Sequence, residues 1–258
     1  MLKPSSLDAI RRRDRLIILG GLAVLTSLSW FYMAGMGWSM GNVSMEMSAD
    51  HRRALGFPEM AFVFGMWSVM MVGMMLPTAS PMVLTFSSIC RRRTPERTFA
   101  RVAMFVLGYV VVWTGYGALA SVAQWVLYTA ALLSPMGDST SPYLAGSLLV
   151  ISGIFQLTPL KHACLDRCRT PMGFLLAEWR PGPRGALIMG LRHGLNCAGC
   201  CWAIMTLMFV LGVMNLLWMA VLAIFCLMEK IAPAGHHVRR VGGVLLTGWG
   251  MLVLAKVL

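Results

Sequence analysis

The chain has 258 residues, of which 58% are hydrophobic and only 12% charged, and its mean hydropathy is +0.71. Soluble globular chains carry roughly a quarter charged residues, and a water-soluble domain of this length has too much surface to hide so much apolar area. These figures exclude an ordinary soluble fold and make the lipid bilayer the expected partner. The net charge of +12 does not indicate a nucleic-acid partner, because the basic residues sit in short clusters between apolar runs and no basic helix is interleaved with base-stacking aromatics.

A helix needs about 20 mostly apolar residues to cross the hydrocarbon core. The first such run covers 16–36 and follows Arg11, Arg12, Arg13, Asp14 and Arg15. No small-residue cleavage site follows it, so 1–15 reads as a short cytoplasmic segment ahead of an uncleaved anchor. The next runs cover 60–88, 102–133 and 143–160. An apolar block over 195–231 is too long for one helix and breaks best between Gly212 and Asn215, giving two spans in a hairpin. A last run covers 241–258. The expected fold is an all-α polytopic transmembrane bundle of about seven spans in one integral membrane domain, 1–258.

Lys and Arg concentrate in cytoplasmic loops, which orients the spans. Arg91, Arg92, Arg93, Arg97 and Arg101 follow the second span, and Lys161, Arg167, Arg169, Arg180, Arg184 and Arg192 occupy 161–194, read as a cytoplasmic loop. Lys230, Arg239 and Arg240 precede the last span. Between these clusters, Arg52 and Arg53 are offset by Glu46, Asp50 and Glu59, and 134–142 has no Lys or Arg. This alternation expects the N-terminus inside and the C-terminus outside a bacterial inner (cytoplasmic) membrane. Pro171, Pro181 and Pro183 leave room in 161–194 for a short interfacial helix at about 172–179 but not for an independent core.

Seven Cys and 23 Met are the unusual counts, and four groups of them stand out. The first is Cys197, Cys200 and Cys201, which share or border one helical face with His193 before them and Met205 and Met208 after. Thiolates and thioethers favour Cu(I), and thiolates also suit zinc and Fe–S clusters, although cysteine equally serves as a small buried hydrophobe. The second is Cys164 and Cys168, four residues apart with His162 nearby. The third is Met66, Met70, Met71, Met74 and Met75 in the second span, ahead of Pro77 and Pro81. Met rows often only fill cores, yet Leu or Ile would do that in lipid, so five in ten positions suggest that thioethers are wanted as such. The fourth is Met33, Met36, Met40, Met45 and Met47, with His51 beyond. Thiols inside, thioethers within and thioethers outside suit a Cu(I) path, with zinc the less favoured ion.

Glu229 and Lys230 close the sixth span and are expected to pair locally or snorkel at the interface, with His236 and His237 also interfacial or, as the alternative, assisting a metal site. There is no phosphate-binding loop and no hydrolase or zinc-protease motif, so no enzymatic activity is expected.

The stretches WSVMMVGMMLP (67–77), QLTPLKHACLDRCRTP (156–171) and HGLNCAGCCW (193–202), followed by GVMNLLWM and MEK, resemble an uncharacterised bacterial family of predicted metal-binding, copper-chaperone-like integral membrane proteins. The resemblance runs from the second to the sixth span. It implies metal binding by Met70, Met74, Met75, Cys164, Cys168, Cys197, Cys200 and Cys201. The family motif carries Ala before the Met pair where this chain has Gly73, which leaves the thioethers intact. The function expected is binding and transfer of Cu(I), from or to a cytoplasmic or periplasmic donor or acceptor protein. A membrane thiol–disulfide electron carrier and a structural subunit of a membrane complex are the alternatives.

Overall fold

The computed structural model describes residues 4–43, 57–93, 95–134 and 137–256, with side chains from 12 to 37 and from 58 onward within them. Met45, Met47 and His51 lie outside these residues, as does the side chain of Met40. The described chain is helical with no strand: α1 (Pro4–Val43), α2 (Phe57–Met75), α3 (Ser80–Arg93), α4 (Thr98–Thr129), α5 (Pro142–Leu157), α6 (Pro159–Arg169), α7 (Pro171–Glu178), α8 (Gly182–Thr206), α9 (Met208–Leu211), α10 (Leu216–Ile231) and α11 (Gly235–Ala255).

Proline and glycine set the helix ends. Pro142, Pro159 and Pro171 each open a helix, where a missing N–H costs nothing. The Ser141 and Thr158 hydroxyls accept the backbone N–H of Leu144 and Lys161, satisfying first-turn donors. α5 and α6 meet at a 64° bend. Pro77 interrupts the second apolar run with a tight turn over Pro77–Ala79, so α2 and α3 are two helices in one segment. Gly212 takes φ +92°, a backbone state other residues rarely adopt, and Asn215 then caps α10.

Five segments are long and apolar enough to cross a bilayer: Arg12–Gly37, Pro58–Arg93, Pro95–Thr129, Gly182–Leu211 and Gly235–Ala255. The bent pair α5–α6 makes a sixth if taken as one span. α10 has 16 residues, about 24 Å of helix, and falls short of that length. The stretch 161–194 holds most of α6, all of α7 and the first half of α8; the short helix expected at 172–179 is α7.

α8 packs along α4 and also meets α6 and α5, while α5 and α11 form a second close pair and α2 lies between α1 and α4. Small residues permit these approaches. A methyl group at Gly190 would collide with the Phe105 carbonyl of α4, and Gly146, Gly153, Gly243 and Gly250 line the α5–α11 contact. The outward faces are apolar: Phe31, Leu119, Leu217 and Leu252 are all exposed. Polar anchors gather towards one end, where Asp14 pairs with Arg91, Arg93 covers Trp179 at 4.7 Å and Glu178 pairs with Arg192.

Candidate metal centre

One helical turn of α8 carries Cys197, Cys200 and Cys201, all at most 1% exposed. Spacings of three and four put Cys197, Cys200 and Cys201 on adjoining strips of the helix, and the Cys200 and Cys201 sulfurs are 3.4 Å apart. The three thiols interact with one another in pairs. Two further helices add to them. Cys168 of α6 pairs with Cys200, and Cys226 of α10 pairs with Cys201. Five thiols from three helices therefore meet in the bundle interior. They form a string of neighbours: among the described residues no three thiol sulfurs all lie within 4.8 Å of one another. Cys164 stands at its edge, its sulfur against the α8 backbone at Gly199.

A cation sits against this string. The Lys230 ammonium of α10 donates to Cys197 Sγ at 2.8 Å and to Thr78 Oγ1 at 3.0 Å. The Tyr109 hydroxyl of α4 lies 3.0 Å from Cys197 Sγ and donates to the Met75 carbonyl at 2.8 Å. Thr78 donates to the same carbonyl. The second apolar segment thus reaches the thiols through its broken turn at Pro77, where the Met75 carbonyl and the Thr78 hydroxyl make the link. A second, fully buried ion pair lies beside it: Lys161 Nζ donates to both Glu229 carboxylate oxygens at 2.8 and 2.9 Å. Arg169 donates to the Glu229 and Ala232 carbonyls, closing the last turn of α10.

Met70, Met71, Met74 and Met75 are all buried in the same core as the thiols, and so are Met66, Met205 and Met208. Met74 and Thr78 also line an apolar side cavity of about 300 Å³ with Trp30, Ala223 and Leu227. Soft sulfur ligands in a space free of competing water are the donor set that a Cu(I) ion accepts, so the residues present fit such an ion.

His193, expected beside the cysteines, is buried but faces rings. It stacks on Tyr109 at 5.5 Å and on Phe105 at 6.0 Å, and its Nδ1 has no hydrogen-bond partner. Glu229 and Lys230 do not pair with each other or snorkel as expected; they are 0% and 8% exposed, and each has its own partner inside the bundle. The sequence reading missed Cys226, Thr78, Tyr109 and Lys161 as parts of the site. A signal existed for the first: Cys226, Glu229 and Lys230 stand at i, i+3 and i+4, one face of a helix.

No curated protein and no solved structure matches the chain. A family model described as PpoB2, copper chaperone, matches residues 64–253, a stretch that holds all seven cysteines, Lys161, Glu229 and Lys230. With well over half of its length matched and its buried thiols gathered around one lysine, the chain belongs to the PpoB2 family of copper chaperones.

Proposed function

We propose that the chain is an inner-membrane carrier that binds Cu(I) in its thiol centre and hands it on, as a transporter or as a delivery factor for a membrane or periplasmic acceptor. The observation that carries this reading is the meeting of Cys168, Cys197, Cys200, Cys201 and Cys226 in a dry interior, with the Lys230 ammonium on Cys197. A thiolate–Cu(I) unit in an apolar medium gains from a nearby cation that offsets its negative charge, and Lys230 is placed for that. The ion is cargo, and no catalytic step is assigned.

In this reading seven segments span the membrane: α1, α2 with α3, α4, α5, α8 with α9, α10 and α11, with α6 bent away at the cytoplasmic side. The N-terminus is inside and the C-terminus outside. The ion pair between Asp14 and Arg91 and the Arg93–Trp179 contact support this arrangement, because they join segments assigned to the same side.

The test is anaerobic Cu(I) loading of the purified, detergent-solubilised protein, followed by challenge with a chelator. Wild type is expected to retain copper, and C197S/C200S/C201S to lose most of it. C226S weakens retention by about 10–100-fold, the scale of losing a close partner of a metal site. C90S leaves it unchanged, because Cys90 lies on α3 beside Arg101 and outside the string. Full stoichiometry in the triple variant would sink the site. The 3.4 Å between Cys200 and Cys201 sulfurs favours one second reading, a thiol–disulfide carrier, which expects a trapped mixed disulfide with a partner and no copper.

A further inference from the structure

A separate set of ligating atoms lies at the α6–α11 junction. His162 and Asp166 stand four residues apart on α6, on the side opposite Cys164 and Cys168, and the start of α11 brings His236 to them. His162 Nδ1 is 3.2 Å from one Asp166 oxygen, and His236 Nε2 is 3.7 Å from the other. The three ligand atoms all lie within 4.8 Å of one another, and this is the trio among the described residues that does so. The two imidazole rings meet edge to face at 4.8 Å.

A direct i,i+4 contact joins His162 to Asp166, but His236 faces the other carboxylate oxygen at 3.7 Å, within ion-pair range and beyond hydrogen-bond reach, so hydrogen bonding alone does not account for the trio. The three side chains are 40–48% exposed, so ions reach them from water. A tetrahedral ion with bonds near 2.0–2.1 Å sets its ligand atoms about 3.3 Å apart, a closure that half-exposed side chains reach by rotation. Arg169, which interacts with His236, is committed to the carbonyls of Glu229 and Ala232. Imidazole and carboxylate suit borderline divalent ions rather than soft Cu(I).

We propose that His162, Asp166 and His236 form a second metal site, for a divalent first-row cation of the zinc type, distinct from the thiol centre. Such an ion ties short α6 to the head of α11. Because α6 also carries Cys168, the ion braces one wall of the thiol centre from outside. The site stands whether or not the thiols carry copper.

The test is Zn²⁺ titration of the metal-free, detergent-solubilised full chain, with Co²⁺ as the spectroscopic probe. Wild type is expected to bind Zn²⁺ more than about ten-fold more tightly than H162A or H236A. Added Zn²⁺ should raise the thermal midpoint of wild type and not of H236A, since binding to the folded state alone stabilises it. The wild-type minus H236A difference spectrum with Co²⁺ should show visible d–d bands and no thiolate charge-transfer band, while Cu(I) stoichiometry is the same in both. Equal Zn²⁺ affinity in wild type and H236A, or a thiolate band in the difference spectrum, overturns the proposal. Loss of Cu(I) from C197S/C200S/C201S bears only on the thiol centre, so failure of one site is distinguishable from failure of the other.

Discussion

A lysine ammonium in an apolar interior is costly unless it is partnered, and here Lys161 and Lys230 are both buried and both partnered. Lys161 is held by both oxygens of Glu229, with neither side chain exposed. Glu229→Gln strands Lys161 and is expected to destabilise the protein by about 3–5 kcal/mol, as loss of one member of a buried pair does. K161L/E229L removes both charges and is expected to recover most of that, measured as the thermal midpoint in detergent. If the double variant is no more stable than E229Q, the pair is not the cause. Local pattern could not reveal this contact. Lys161 follows an apolar run and precedes Arg167 and Arg169, so it reads as one more loop charge. Its burial is set by the 64° bend at Thr158–Pro159, which brings α6 into contact with α8. By contrast Cys197, Cys200 and Cys201 were legible, because three thiols at helical spacing are a local signal. Cys226 carries a weaker signal, visible only through Glu229 and Lys230 at i+3 and i+4.

The helices themselves were legible wherever proline or glycine marks an end. The turn at Pro77 and the Gly212–Asn215 break follow directly from backbone chemistry. The start of α8 did not: the helix begins at Gly182, but Arg184 and Arg192 flank its apolar stretch 186–191 and masked it as loop. What fixes α8 is its crossing with α4, which reads from contacts and not from hydropathy. Gly108 and Gly190 face each other's helices so closely that an added methyl group meets backbone on both sides. Gly190→Ala is therefore expected to cost roughly 1–3 kcal/mol through overpacking and, by pushing α8 off Tyr109, to weaken Cu(I) retention. Gly115→Ala, also on α4 but with open space around it, is expected to be neutral or slightly stabilising, since Ala favours helix over Gly. Thermal midpoints of the two variants check this, and equal behaviour would remove the crossing as the determinant.

For the whole molecule, the proposed sidedness rests on the alternation of basic clusters. Alkaline phosphatase fused after Leu258 is expected to be active, because it is exported, and the same enzyme fused after Arg97 to be inactive. Equal activities would reverse or abolish the topology proposed. The long-range ion pair has a consequence in time as well. Lys161 emerges from the ribosome 68 residues before Glu229, and a lone ammonium resists settling among apolar helices. α6 is therefore held back until α10 is made, and Cys168 rides with it. The wall of the thiol centre that Cys168 forms is therefore expected to close only once α10, which carries both Glu229 and Cys226, has been made.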